Sequence, residues 1–191
     1  DLIAFANRYA NSSLNIRVID TGVGTPTGGR LLMAEKEIGT NQFLLTYGAS
    51  LANFNLNNCL EFKRLQKTDF IISTYNKFNE YGILNIDKNL RVSGIFEKTY
   101  SVPVNAGFYI FDHRIFPYIN SKNDSFEIDV LPRLIADKKI LISAFKIDFW
   151  HPMDTPEDQE SLNKILTGNS NFFLIKSINL CLNLFLKSIM S

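Results

Sequence analysis

The chain reads as an α/β protein built on a mixed, mainly parallel, Rossmann-like sheet flanked by helices. Three observations predict this. Short apolar and β-branched runs alternate with segments of 3.6-residue period through the first eighty residues or so. After Gly82 the pattern changes to paired strands around turn residues, then returns to alternation up to a well-marked helix start at Pro156. Of 191 residues, 46% are apolar and 20% charged, which excludes a disordered chain. Strands alternating with helices bury both faces of a sheet, and that is the expected architecture.

Each element follows from its residues. Leu2 to Tyr9 has helical composition, so the chain opens inside an element. No charged run precedes an apolar one there, so it is not a signal peptide. Leu14 to Asp20 has strand composition and ends in Thr21–Gly29, whose four glycines and one proline mark a loop. Arg30 to Ile38 is a helix with Leu31, Leu32 and Ala34 inward, stopped by Gly39. Phe43 to Thr46 is a short buried strand. Asn53 to Gln66 repeats apolar residues at Phe54, Leu56, Cys59, Leu60, Phe62 and Leu65, so it is a helix. Phe70 to Tyr75 is a strand.

The second half continues with a hairpin, Ile83–Asp87 and Arg91–Phe96 around Lys88-Asn89-Leu90. Asn105 to Asp112 is a strand, Phe116–Ile119 and Ile128–Ile135 are helical pieces, and Ile140 to Ile147 is a strand. Pro156 to Leu166 is a helix with Thr155 as N-cap and proline at the first helical position. The run from Phe172 to Met190 is very apolar but carries Lys176, Asn179, Asn183 and Lys187. A spanning helix needs about twenty predominantly apolar residues. A packing or oligomer-forming helix, or a frayed terminus, fits this run better than a membrane span. The expected division is a domain over 1–167 and an apolar tail over 168–191.

Net charge is +1, from 20 basic and 19 acidic residues that form no basic stripe, so no nucleic-acid partner is expected. Cys59 and Cys181 lie far apart and near no histidine. That excludes a disulfide framework or zinc site and fits a reduced, cytoplasmic setting.

Five segments carry chemistry. Phe43–Ser50 is an apolar run reaching a small-residue turn, which delivers residues to the carboxyl edge of a strand, where open α/β sheets hold ligands. Thr25-Pro26-Thr27-Gly28-Gly29-Arg30 is a tight turn feeding a helix; free N–H groups and an arginine suit an anion or a base edge. Taken alone, it reads first as a strand-to-helix loop. Glu97-Lys98 is by itself a solvated charge pair. Asn105 reads as a turn residue and Gly107 as a close-packing point. Trp150-His151-Pro152-Met153-Asp154-Thr155 holds a carboxylate before a helix start.

Together these segments resemble the sugar-nucleotide pyrophosphorylases, most closely the glucose-1-phosphate cytidylyltransferases, from Leu2 to about Leu166. The resemblance implies the glycosyltransferase-A-like nucleotidyltransferase fold, lacking its N-terminal βα unit and the glycine-rich phosphate loop that goes with it. It implies transfer of CMP from CTP to glucose 1-phosphate, giving CDP-glucose and pyrophosphate, as a step toward lipopolysaccharide O-antigen. CTP and glucose 1-phosphate are then the partners, Mg²⁺ the cofactor, and a homo-oligomer is compatible. By the same resemblance Thr25, Gly29, Arg30 and Gly48 bind nucleotide. Glu97, Lys98, Asn105 and Gly107 bind the sugar phosphate, Lys98 and Asp154 are catalytic, and Asp154 is a metal ligand. The family has a second metal carboxylate directly after the strand-end glycine, where this chain has Ala49. The metal site is therefore expected to be weakened and turnover impaired. His151 stands where the family has glutamine and reads as a polar lining residue. The alternative expectation is a non-catalytic remnant or a sugar-phosphate-binding or interaction module.

Overall fold

A computed structural model describes residues 16–39, 41–79, 81–97 and 101–168. The helix expected over Leu2–Tyr9, Lys98, and the apolar run after residue 168 lie outside the described residues.

Residues 16–20, the described part of the strand expected over Leu14–Asp20, carry no strand pairing with other described residues. Strand propensity is realised only against a neighbour. Here Arg17 pairs with Glu37, and Asp20 Oδ1 accepts from the Gly22 N–H at 2.9 Å. Helix α1 (Thr27–Met33) and the short α2 (Glu35–Ile38) follow. They meet at Ala34, whose N–H is shared between the Arg30 and Leu31 carbonyls, so the single helix expected from Arg30 is two pieces starting at Thr27.

Strand β1 (Phe43–Thr46) leads to β2 (Ser50–Ala52) and helix α3 (Leu56–Gln66). Asn55 caps α3 by accepting from the Asn58 N–H, so this helix begins three residues later than its apolar pattern suggests. Then come β3 (Phe70–Phe78), the hairpin β4 (Ile83–Ile86) and β5 (Val92–Phe96), and β6 (Ser101–Phe111). A 3₁₀ turn (His113–Tyr118) and a π-helical turn (Phe126–Val130) run into α4 (Leu131–Ala136). Strands β7 (Ile142–Lys146) and β8 (Trp150–Pro152) and helix α5 (Pro156–Gly168) complete the described chain.

The main sheet has the order β1-β6-β3-β7. The mixed α/β sheet that the sequence predicts is present. Among the described strands only β3–β7 is parallel, while β6 runs antiparallel to both β1 and β3. The reason is the connection. β6 returns from the same end at which β3 leaves, with Phe78 opposite Ser101, and such a return makes an antiparallel pair.

Residues Ala106 to Phe111 are all buried because β6 is central and covered on both faces. One face packs Leu45, Phe70, Tyr109 and Phe111 against Leu31, Ile115, Phe126, Val130 and Leu134. The other packs Ile71, Phe108 and Ile110 against Phe54, Cys59 and Ile147. Burial pushes the Cys59 thiol up to about 12, so it is a small core residue with no thiolate at neutral pH.

An acid–base cluster ties β3 to the turn after β6. Arg114 forms ion pairs with Asp69 at 2.7 Å and Asp112 at 2.8 Å, and lies over the Phe70 ring. The Leu141 N–H and the Arg114 guanidinium hold the Asp69 carboxyl below its ordinary range. A carboxylate whose folded value is depressed contributes stability that is present above its unfolded value and lost as pH falls through the folded one. The thermal midpoint is therefore expected to fall on acidification below about pH 4. In Asp69→Asn that acid sensitivity is smaller, and equal slopes for variant and parent would sink the assignment.

Candidate active site

The turn Tyr47-Gly48-Ala49 joins β1 to β2, and β2 pairs antiparallel with β8. Ser50 stands opposite Pro152, Leu51 opposite His151, and Ala52 opposite Trp150. Asn53 locks one end of this ribbon, donating its N–H to Phe149 O and accepting the Phe149 N–H on Oδ1. At the other end the Met153 N–H donates to Ala49 O at 2.9 Å. Ala49 and Asp154, far apart in sequence, thus lie at the same end of this ribbon, Asp154 being the residue after Met153, and both are exposed.

The elements around Asp154 fix where it stands. Thr155 Oγ1 accepts from the Asp158 N–H at 3.1 Å, and Asp158 returns a carboxylate oxygen to the Thr155 N–H at 3.0 Å. This reciprocal cap begins α5 immediately after Asp154. His151 contacts Pro152 O at 2.7 Å through Nδ1 and Ser161 Oγ at 3.2 Å through Nε2, which pins β8 to α5.

Mg²⁺ takes oxygen ligands and is commonly held by one or two carboxylates. Asp154 offers one, and the Ala49 methyl group offers no oxygen. Asn53 and Asp69 do not substitute, because the first is bound to Phe149 and the second to Arg114 and Leu141. Among the described residues no group of three or more His, Cys, Asp or Glu could hold a metal ion. These residues do not fit a firmly held Mg²⁺.

A second wall is built by β6. Asn105 Oδ1 accepts the Gly107 N–H at 3.0 Å, and its amide nitrogen donates to Tyr109 Oη at 2.5 Å. Gly107 has φ +77°, and a Cβ there would come within 2.7 Å of the Tyr47 ring. The Tyr47 N–H also donates to Gly107 O at 3.2 Å. Residues 47–49 therefore touch both walls, Gly107 on one side and Met153 on the other.

Thr25 and Arg30 form their own compact group. Arg30 donates to Thr25 O at 2.7 Å and to Thr21 Oγ1 at 2.9 Å, which folds the loop around the guanidinium. Gly29 is buried, with its N–H on Asp124 O at 3.1 Å, and a Cβ would lie 1.9 Å from Lys122 O. Its conformation and amide are accounted for by this packing. Glu97 stands apart, exposed at the end of the hairpin with its carboxylate against Gly82. Its neighbour Lys98 lies outside the described residues.

Two residues at this site lie within the motif segments but receive no role from them: Tyr47 and Tyr109, whose hydroxyls are 3.0 Å apart. Tyr109 stands four positions after Asn105, but an alternating strand pattern marks it only as core. Its polar end becomes visible only when β1 is laid beside β6.

The Nucleotidyl transferase family pattern matches residues 9–167. A relative from Bacillus subtilis (strain 168), named probable glucose-1-phosphate cytidylyltransferase, is 31% identical over 152 residues, covering 78% of this chain and 59% of the relative. The glucose-1-phosphate cytidylyltransferase of Salmonella typhi is 26% identical over 148 residues, covering 76% and 57%. This chain thus spans under two-thirds of the length of these relatives. Among solved structures, HddC from Yersinia pseudotuberculosis superposes with a TM-score of 0.59 at 24% identity, over 84% of this chain and 71% of that one. A putative glucose-1-phosphate thymidylyltransferase from Bacillus anthracis gives 0.57 at 17% identity, over 79% and 64%. These likenesses show the fold expected from the motifs, the glycosyltransferase-A-like nucleotidyltransferase fold. With the family pattern running through both walls of the site, the chain belongs to the nucleotidyl transferase family.

Proposed function

We propose that this chain derives from an enzyme that transfers CMP from CTP to glucose 1-phosphate, and that its own turnover is impaired at the metal site. In that reaction a phosphate oxygen of glucose 1-phosphate bonds to the α-phosphorus of CTP. The bond from that phosphorus to the bridging oxygen breaks, and pyrophosphate leaves with the electron pair. Such transfers rely on positioning and charge neutralisation rather than covalent help from the protein.

The observation that carries the reading is the turn Tyr47–Ala49. It hydrogen-bonds to Gly107 on one side and Met153 on the other, which supports reading the Asn105–Gly107 and Asp154 segments as parts of one site. Asn105 and Gly107 are the sugar-phosphate residues of this reading, to which the motif resemblance alone adds Glu97 and Lys98. Thr25, Gly29 and Arg30 belong to the nucleotide side, where the Arg30 guanidinium supplies positive charge. Asp154 is the one carboxylate that the motif resemblance leaves at the metal position. Ala49 favours a second reading, in which the chain binds sugar phosphate without turning it over.

With CTP, glucose 1-phosphate and Mg²⁺, the chain is expected to release no pyrophosphate above background in a coupled phosphate assay. Clear turnover that disappears in Asp154→Ala would overturn the impairment. Calorimetric titration tests the second reading, which fails if the chain does not bind glucose 1-phosphate.

A further inference from the structure

The hydrogen-bond directions around Asn105 are forced. A backbone N–H can only donate, so the Gly107 N–H at 3.0 Å identifies the accepting side of the Asn105 amide as oxygen. The other side is then the NH₂ group, which also can only donate, and it lies 2.5 Å from Tyr109 Oη. Tyr109 Oη therefore accepts from Asn105 and must send its own proton elsewhere. Its partner is Tyr47 Oη at 3.0 Å. With Tyr109 donating, Tyr47 Oη accepts and keeps its own proton for a further acceptor. Among the described residues, none accepts that proton.

The chain of groups is well held. Tyr109 is fully buried, stacked on Phe111 and set edge-on to Phe126 and Tyr47. Burial pushes its phenol up to about 12, so it stays protonated and keeps its direction of donation at neutral pH. Tyr47 is half-buried, and its ring lies against Gly107. A phenol that already accepts one hydrogen bond is polarised and donates more strongly through its own proton. The best partner for a hydroxyl that can only donate is an oxygen that can only accept, and a phosphate oxygen is one.

We propose that the Tyr47 hydroxyl donates a hydrogen bond to a phosphate oxygen of the bound sugar phosphate, with Tyr109 and Asn105 as the positioning residues that fix its direction. This rests on the functional reading above and adds a residue to it. Tyr47 would touch the ligand, whereas Tyr109 would act only through Tyr47.

The test is calorimetric titration of the full chain and its Tyr47→Phe and Tyr109→Phe variants with glucose 1-phosphate, and separately with CTP. Both substitutions keep the ring, and both variants are expected to fold. Tyr47→Phe is expected to weaken glucose 1-phosphate binding about tenfold, the scale of one hydrogen bond to a charged group. Tyr109→Phe should weaken it less, because the Tyr47 hydroxyl remains but is no longer aimed. CTP binding should be nearly unchanged in both. Parent and Tyr47→Phe binding glucose 1-phosphate alike would overturn the donor role, as would an equal loss for CTP. If the parent binds neither compound, the functional reading fails. The donor role is then decided with inorganic phosphate on 3-fluorotyrosine-labelled protein. A phosphate-dependent shift of the resonance that Tyr47→Phe removes would support it, and no shift would overturn it. The same labelled parent serves if a variant does not fold.

Discussion

Ala49→Asp is expected to raise the affinity of the chain for Mg²⁺ at least about tenfold, a change of about 1.4 kcal/mol. The Met153 N–H bond to Ala49 O puts the new carboxylate at the same end of the ribbon as Asp154, the residue after Met153. Backbone conformation does not oppose the change, because Ala49 is not among the residues with positive φ. Two like charges this close repel when no cation lies between them. The variant should therefore melt below the parent without Mg²⁺ and recover when Mg²⁺ is added. Adding Asp154→Asn should return both affinity and melting to near the parent. A variant that binds Mg²⁺ no better than the parent would show that loss of this carboxylate is not what weakens the metal site.

Gly29→Ala is the second large effect, and it falls on stability. The added methyl would sit 1.9 Å from Lys122 O and 2.6 Å from its carbonyl carbon. Both are backbone atoms, so no side-chain rotation relieves the overlap. Overpacking of this kind costs about 1–3 kcal/mol or more, and each kcal/mol moves the melting temperature about 2–4 °C in a domain of this size. Gly28→Ala meets Asp124 O at 2.7 Å and should act the same way. Gly94→Ala, with open space around it, is the control and should be close to neutral. The comparison bears on function as well as stability. If Gly29 mattered only for ligand contact, its alanine variant would melt like the parent while losing CTP binding.

Much of the local structure was legible because its causes are local. The Asp154-Thr155-Pro156 start of α5 is a cap and a fixed φ, both written within five residues, and the structure has both hydrogen bonds of that cap. The β4–β5 hairpin is equally local: Asp87 Oδ1 takes the Asn89 and Arg91 N–H groups across the turn, with Leu90 at φ +63°. Residues 16–20 show the opposite. Their composition favours a strand, but a strand needs a partner, and composition cannot say whether one is there.

The candidate site divides along the same line. Sequence alone determined the family, the alternation that makes a mixed α/β sheet, the Thr155 cap and the absence of a carboxylate at position 49. Those are properties of single residues or short windows. Tertiary structure alone decided that β6 runs antiparallel between β1 and β3, that Ala49 bonds to Met153 just before Asp154, and that Gly29 is pressed onto Lys122. It also turned two core tyrosines into a directed hydrogen-bond chain ending at Tyr47. The physical reason is separation along the chain. A cap or a turn is fixed by neighbours a few residues away, but contacts between distant segments form only when the whole sheet has chosen its order and register.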